Sequence, residues 1–208
     1  MAIPSQTTPS PPPSQRSATA EAFLDAAERL LVEVGHAGIS TRRLAAKAGA
    51  NQGLVHYYFG SMDEVFVRVL ERFTARLVER QREMYGTDAP FIEKWRAAWR
   101  FQEEDLEAGY SKIWMELQAL SWSRPDLLPR VARVNAEWRA VLREAYSRAA
   151  EEYGLDEDEF PVEALIAITM TFGQGFALER LEGIDEGHAA LLDWIERWIE
   201  SLEERRTA

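Results

Sequence analysis

Between Gln52 and Phe59 the chain reads QGLVHYYF, and shortly before it TRRLAAK runs from Thr41 to Lys47. These stretches carry groups suited to nucleic acid. The guanidinium of Arg42 can bridge guanine O6 and N7, and the amide of Gln52 suits adenine N6 and N7. Leu54 has no hydrogen-bonding group and could offer a base only an apolar contact, such as one to a thymine methyl. The hydroxyls of Tyr57 and Tyr58 and the ring of His56 could reach phosphate oxygens. Thr41 sits where a helix start would add free backbone N–H groups for the same purpose. Gly53 would let the backbone come close to a duplex. Arg43 and Lys47 add charge, although a solvated helix surface would show the same residues.

Placing those side chains requires two short helices and a tight turn. A helix turns by 100° per residue, so Val55 and Phe59 can point into a core while His56, Tyr57 and Tyr58 fan outward. Ala45 is small where the two helices would approach, and Gly49 permits the positive φ of the turn. Leu44, Ala48 and Val55 supply inward apolar contacts. Ser40 and Asn51 stand where each helix needs an N-cap. By this spacing alone, an ordinary helical hairpin inside a larger bundle fits equally well.

The rest of the chain is also patterned for helices. Phe23, Ala27, Leu30, Leu31 and Val34 mark a first helix stopped by Gly35. A fourth is expected from Met62 to about Met84, with Val65, Phe66, Val69, Leu70, Phe73 and Leu77 on one stripe. Further helices are expected near 91–107, 111–122, 126–153, 162–181 and 186–204, separated by Gly109, Pro125, GLDEDEFP and EGIDEG. No alternating run is long enough for a strand, so the fold class is all-α with about nine helices. Residues 1–18, with their PSPPPSQ core, lack the apolar side chains to repay ordering and are expected to be a mobile tail.

The 208 residues carry a net charge of −11, which taken whole argues against a nucleic-acid partner. The distribution says otherwise. Residues 1–62 hold five basic and four acidic side chains, and the remainder holds 19 basic and 31 acidic. The acidity therefore belongs to the second part. Cysteine is absent, which removes thiolate chemistry and fits a reducing cytoplasm, and no apolar run is long enough for a membrane span. The expectation is a cytoplasmic protein with no membrane partner.

The wider stretch ISTRRLAAKAGANQGLVHYYFGSMDEVFVRVL, with a first helix ending in VGHAGIS, resembles the N-terminal domain of the TetR (tetracycline-repressor) family of transcriptional regulators. The resemblance covers about Ala20 to Leu70 and rests on Thr-Arg-Arg, the Ala-Gly turn, Gly53 and the closing aromatic-Phe-Gly-Ser. It implies a helix-turn-helix domain at 19–62 and a ligand-binding and dimerisation domain at 63–208. It also implies a homodimeric regulator, most naturally a repressor, that binds a palindromic operator in double-stranded DNA and is released by a small hydrophobic effector. Thr41, Arg42, Arg43, Gln52, Gly53, Leu54, His56, Tyr57 and Tyr58 are the expected DNA contacts. Met62 departs from the pattern, because the family usually has a phosphate-binding Lys there. One ionic phosphate contact per subunit is expected to be missing.

Beyond Leu70 no catalytic constellation is present. The histidines are His36, His56 and His188, without cysteine beside them, so no metal site, thiol nucleophile or serine triad has its parts. No enzyme activity and no cofactor are expected. GQGFA at Gly173 has no preceding strand and reads as close helix packing rather than a phosphate loop. Large apolar walls with a few polar groups are what a ligand cavity needs. The resemblance places such a pocket among the central helices, with Trp95, Trp99, Gln102, Trp114, Glu116, Leu117, Asn135, Trp138, Thr169, Phe172 and Phe176 as candidate linings. Plain core packing accounts for the aromatic residues as readily. An apolar or aromatic ligand is expected, and a lipophilic cation if Glu116 is buried without a partner. ALIAITMTFGQGFAL is apolar almost all round, as a helix between its own subunit and a partner would be. Ile168, Phe172, Leu191, Trp194, Ile195, Trp198 and Leu202 are the expected dimer contacts. A regulator without a small-molecule effector, acting through protein contacts, is the alternative.

Overall fold

The computed structural model describes residues 13–156, 158 and 161–207. Among them are nine α-helices and a short 3-10 turn at His36–Gly38. The helices are α1 (Pro13–Val34), α2 (Thr41–Ala48), α3 (Gly53–Phe59), α4 (Met62–Tyr85), α5 (Phe91–Glu107), α6 (Tyr110–Ser123), α7 (Leu128–Tyr153), α8 (Val162–Leu181) and α9 (His188–Thr207). The all-α class follows.

One boundary differs from the sequence reading by more than three residues. Helix α1 begins at Pro13, inside the stretch expected to be a tail, and residues 1–12 of that expectation lie outside the described residues. Proline fits the first helical turn, where its missing N–H would be unpaired anyway, and Ala18 and Ala20 then propagate the helix towards the packed face that starts at Phe23.

The chain divides into two compact units at Val69 and Leu70, within α4. In the first, the apolar sides of α1, α2 and α3 close on one core, in which Phe23, Leu31, Leu44, Val55 and Val65 are fully buried. Phe23 meets Phe59 edge-on at 6.1 Å. Local chemistry sets the helix limits. Ser40 Oγ accepts from the Arg43 N–H at 3.2 Å, and Gly49 ends α2 at φ 64°. Asn51 Oδ1 accepts from the Gly53 N–H at 2.9 Å, and Ser61 Oγ from that of Glu64 at 3.1 Å.

In the second unit one buried cluster joins the last turns of α4 to α7 and α8, through Val78, Tyr85, Val141, Leu142, Ala145 and Ile166. Ion pairs hold the helix surfaces together. Arg96 on α5 reaches Glu196 and Glu200 on α9 at 2.6 and 2.9 Å, and Arg143 on α7 grips Glu163 on α8 at 2.5 and 3.0 Å.

Candidate functional site

In the first unit, α3 buries Val55 and Phe59 and leaves Gln52, Gly53, His56 and Tyr57 exposed, with Leu54 and Tyr58 half-buried. Gln52 has helical backbone angles immediately before the first residue of α3, so its amide leads the helix outward. Gly53 lies at an open position. A Cβ built there would meet only Asn51 Oδ1, at 3.4 Å. Nothing else inside the unit fills the space a Cβ would take, so the position stays open to a molecule approaching from outside.

The cations are not equivalent. Arg42 is exposed and has no hydrogen bond or ion pair among the described residues. Arg43 donates from Nη1 to the Gly38 carbonyl at 3.1 Å, and Lys47 pairs with Glu33 at 2.6 Å. Both are therefore partly committed to the protein's own surface. Thr41 is half-buried at the first position of α2.

The rings divide differently from the expected fan. Tyr57 is 57% exposed, whereas Tyr58 leans on Phe23, with ring centroids 6.4 Å apart. His56 Nδ1 lies 2.9 Å from the Gly60 carbonyl. A carbonyl only accepts, so Nδ1 carries the proton and Nε2 of the neutral ring is an acceptor. A phosphate oxygen has no proton to offer, so His56 can bind phosphate only as the imidazolium. Met62 is half-buried at the start of α4 and brings no charge to it.

The second unit contains a cavity of about 680 Å³. Of the expected linings, Trp95, Trp99, Gln102, Trp114, Trp138, Thr169 and Phe172 border it. Glu116, Leu117, Asn135 and Phe176 do not. Glu116 lies 3.9 Å from Lys112, one turn back on the same helix, so the condition for a cation site at Glu116 is not met. Leu117 is buried elsewhere in the core, and Asn135 Nδ2 donates to the Val131 carbonyl of its own helix at 3.2 Å. Phe176 is buried between Trp99, at 5.1 Å, and His188, at 4.6 Å.

The residues assigned to the dimer contact occupy two situations. Ile168 and Trp194 are 64% and 60% exposed, and Leu191 is exposed as well, but Leu202 is buried and can contribute little to any external surface. All seven border the cavity, because α8 and α9 form a wall one helix thick. Gly173 and Gly175 have open space where a Cβ would go, so the GQGFA segment is not a close helix contact within this chain.

Sequence reasoning missed the α4 side of the cavity. Thr74, Leu77, Gln81 and Tyr85 all border it. Their spacing of three and four residues was the available signal, with two polar side chains set on an apolar stripe. The Tyr146 hydroxyl lies 2.8 Å from Thr169 Oγ1, and burial raises its pKa above the ordinary tyrosine value. Burial, with Tyr146 nearby, pushes Tyr85 well up too, so both phenols are neutral. Asp105 is raised by burial against the opposing pull of Arg80, whose Nη2 is 2.6 Å away.

Two short helices joined by a glycine turn, with exposed hydrogen-bonding groups leading the second, define a helix-turn-helix DNA-binding domain, in this chain joined to an all-helical unit around an apolar cavity. Residues 23–69 match the profile of bacterial regulatory proteins of the tetR family. The HTH-type transcriptional regulator BetI 1 of Chromohalobacter salexigens is 29% identical over 110 residues, 51% of this chain and 54% of that protein. The HTH-type transcriptional repressor Rv3405c of Mycobacterium tuberculosis is 38% identical over 65 residues, 31% of this chain and 35% of that protein. The chain thus spans about half the length, or less, of these curated relatives. Likeness of fold extends further. The fatty acid degradation regulator FadR from Bacillus halodurans aligns with a TM-score of 0.70 over 92% of this chain and 96% of that one, at 16% identity.

Proposed function

We infer that the protein is a ligand-responsive transcriptional repressor that binds a palindromic operator as a homodimer and is released by an apolar or aromatic small molecule. The observation that carries this reading is the pairing, in one chain, of an open Gly53 face on α3 with an apolar cavity bordered by α4. Helix α4 begins beside the cap that closes the DNA-binding unit, and its later turns carry Thr74, Leu77 and Gln81 on the cavity wall. A ligand that favours one position of α4 shifts the population of DNA-competent dimers, and operator DNA reciprocally weakens the ligand.

Gln52, Gly53 and Leu54 face the base edges in this reading, with Arg42 as a further base contact. Thr41, Arg43, Tyr57 and Tyr58 position the phosphates, joined by His56 when it is charged. The dimer forms through the outer faces of α8 and α9. Ala164, Ala167, Ile168, Thr171, Gly175 and Leu178 make an exposed stripe on α8 at helical spacing, flanked by Leu191 and Trp194 on α9. Such a stripe, with Gly175 about one turn from its end, suits close packing against a symmetry mate.

The test is footprinting on the DNA upstream of the protein's own gene, repeated with a panel of lipids, drugs and aromatic metabolites. A protected palindrome released by at least one compound that also raises the melting temperature is the expected result. Protection that no cavity-binding compound relieves would overturn the effector half of the reading. Absence of any protected palindrome would overturn the operator half.

A further inference from the structure

Thr74 Oγ1 and Gln81 Oε1 are sealed from solvent and have no hydrogen-bond partner. The two residues are only 1% and 8% exposed, and both border the cavity. Seven residues apart on α4, they lie on one side of the helix about 10 Å from each other. Buried polar groups almost always have partners in native proteins, because leaving them unpaired forfeits their hydration for nothing. Both residues border the cavity, so a molecule that enters it and shifts either side chain can supply the missing partner.

Other polar groups of the wall restrict what that molecule is. Asp105 is held by Arg80 at 2.6 Å, and the Arg80 guanidinium lies 4.1 Å from the centroid of the Phe101 ring. Tyr146 and Thr169 satisfy each other. Charge on the wall is therefore compensated, and an ion entering would lose its hydration without a counter-charge. A carboxylate has only lone pairs, so it can accept from the Thr74 hydroxyl but offers nothing to the Gln81 carbonyl. A hydroxyl both donates and accepts, so it serves Thr74 and either orientation of the Gln81 amide. Trp95, Trp99, Trp114, Trp138 and Phe172 supply ring faces and edges for an aromatic skeleton.

We propose that the cavity selects uncharged aromatic molecules bearing a hydroxyl group, seated against the Thr74 and Gln81 side of α4. This rests on the cavity being the effector site. The test is calorimetric titration of the full chain with 4-hydroxybiphenyl, 4-methylbiphenyl and biphenyl-4-carboxylate, which share one skeleton.

The hydroxyl compound should bind about tenfold more tightly than its methyl analogue, and the carboxylate most weakly. In the Thr74→Val, Gln81→Leu double variant the hydroxyl preference should shrink to about twofold while the methyl compound keeps its affinity. The single variant Gln81→Met, read by the same ratio, covers the case in which the double variant fails to fold. Equal binding of the hydroxyl and methyl compounds to the natural chain, or a preference that survives in the variants, overturns the proposal and leaves the cavity reading standing. If none of the three compounds binds, the proposal falls, and the cavity reading stands or falls by the wider panel of lipids, drugs and metabolites.

Discussion

Arg130 holds Glu71 with both prongs of its guanidinium, Nε to Oε1 at 2.8 Å and Nη2 to Oε2 at 2.6 Å, and Arg133 adds a third contact at 2.7 Å. The three bonds tie α4 to α7 within the second unit. They hold the Glu71 carboxyl below its ordinary pKa, Arg130 contributing most and burial opposing. Because the folded-state pKa is depressed, the stabilisation is present above the ordinary glutamate value and is lost as pH falls through the lowered one. Glu71→Gln should therefore lower stability by about 1–2 kcal/mol at neutral pH, with a shallower loss on acidification than the natural chain. Urea unfolding midpoints at pH 7 and in the acid range read both effects.

Gly53→Ala separates folding from recognition. The added methyl meets only Asn51 Oδ1 at an ordinary contact distance, so thermal stability should be unchanged or raised by up to about 1 kcal/mol. Operator affinity, measured by fluorescence anisotropy, should fall about tenfold or more, since the methyl stands where the duplex must approach. Unaltered affinity would mean that the duplex does not come close to Gly53.

Met62→Lys restores a cation at the start of α4, beside the exposed Gly60 and Ser61. Binding to any DNA should tighten, and the plot of log affinity against log salt should steepen by about 1 per subunit. An unchanged slope would mean that no phosphate passes near this helix start.

Removing the unpartnered polar atoms of α4 should stabilise the free protein. Thr74→Val with Gln81→Leu keeps shape while deleting two buried groups that have no partner, so the ligand-free melting temperature should rise, by the equivalent of about 1 kcal/mol or more. Differential scanning calorimetry would show it. A lowered melting temperature would indicate that both groups are already satisfied in solution.

Leu178→Asp tests the outer face of α8 without touching the cavity wall. Leu178 is 47% exposed and does not border the cavity. Light scattering should show monomers where the natural chain gives dimers, and operator affinity should fall with the loss of the paired half-site. A variant that remains dimeric would place the interface elsewhere.

Helix existence and type were legible because their causes are local. Apolar residues at three- and four-residue spacing, the caps Ser40 and Asn51 and the turn glycine Gly49 each act within a few residues, and the structure places them as that spacing requires. The start of α1 was less legible, since helix propagation outruns the apolar pattern that anchors it. His56 shows a second kind of limit. Its role depends on which ring nitrogen is occupied by the Gly60 carbonyl, a contact made only after α3 has ended and the chain has turned.

The same limit separates cavity wall from core. Trp99 and Phe176 lie on apolar faces and touch one another, yet one borders the cavity and the other is buried behind it. Periodicity determines which side of a helix shuns water, and from the sequence alone that established an all-α chain, while the motif from Thr41 to Ser61 carried the resemblance to a tetR-type DNA-binding segment. Whether a hidden side chain meets protein atoms or enclosed space depends on how several helices, distant in sequence, fit together. Only the tertiary structure could therefore show that two residues of α4 bordering the cavity, Thr74 and Gln81, carry buried oxygens without partners.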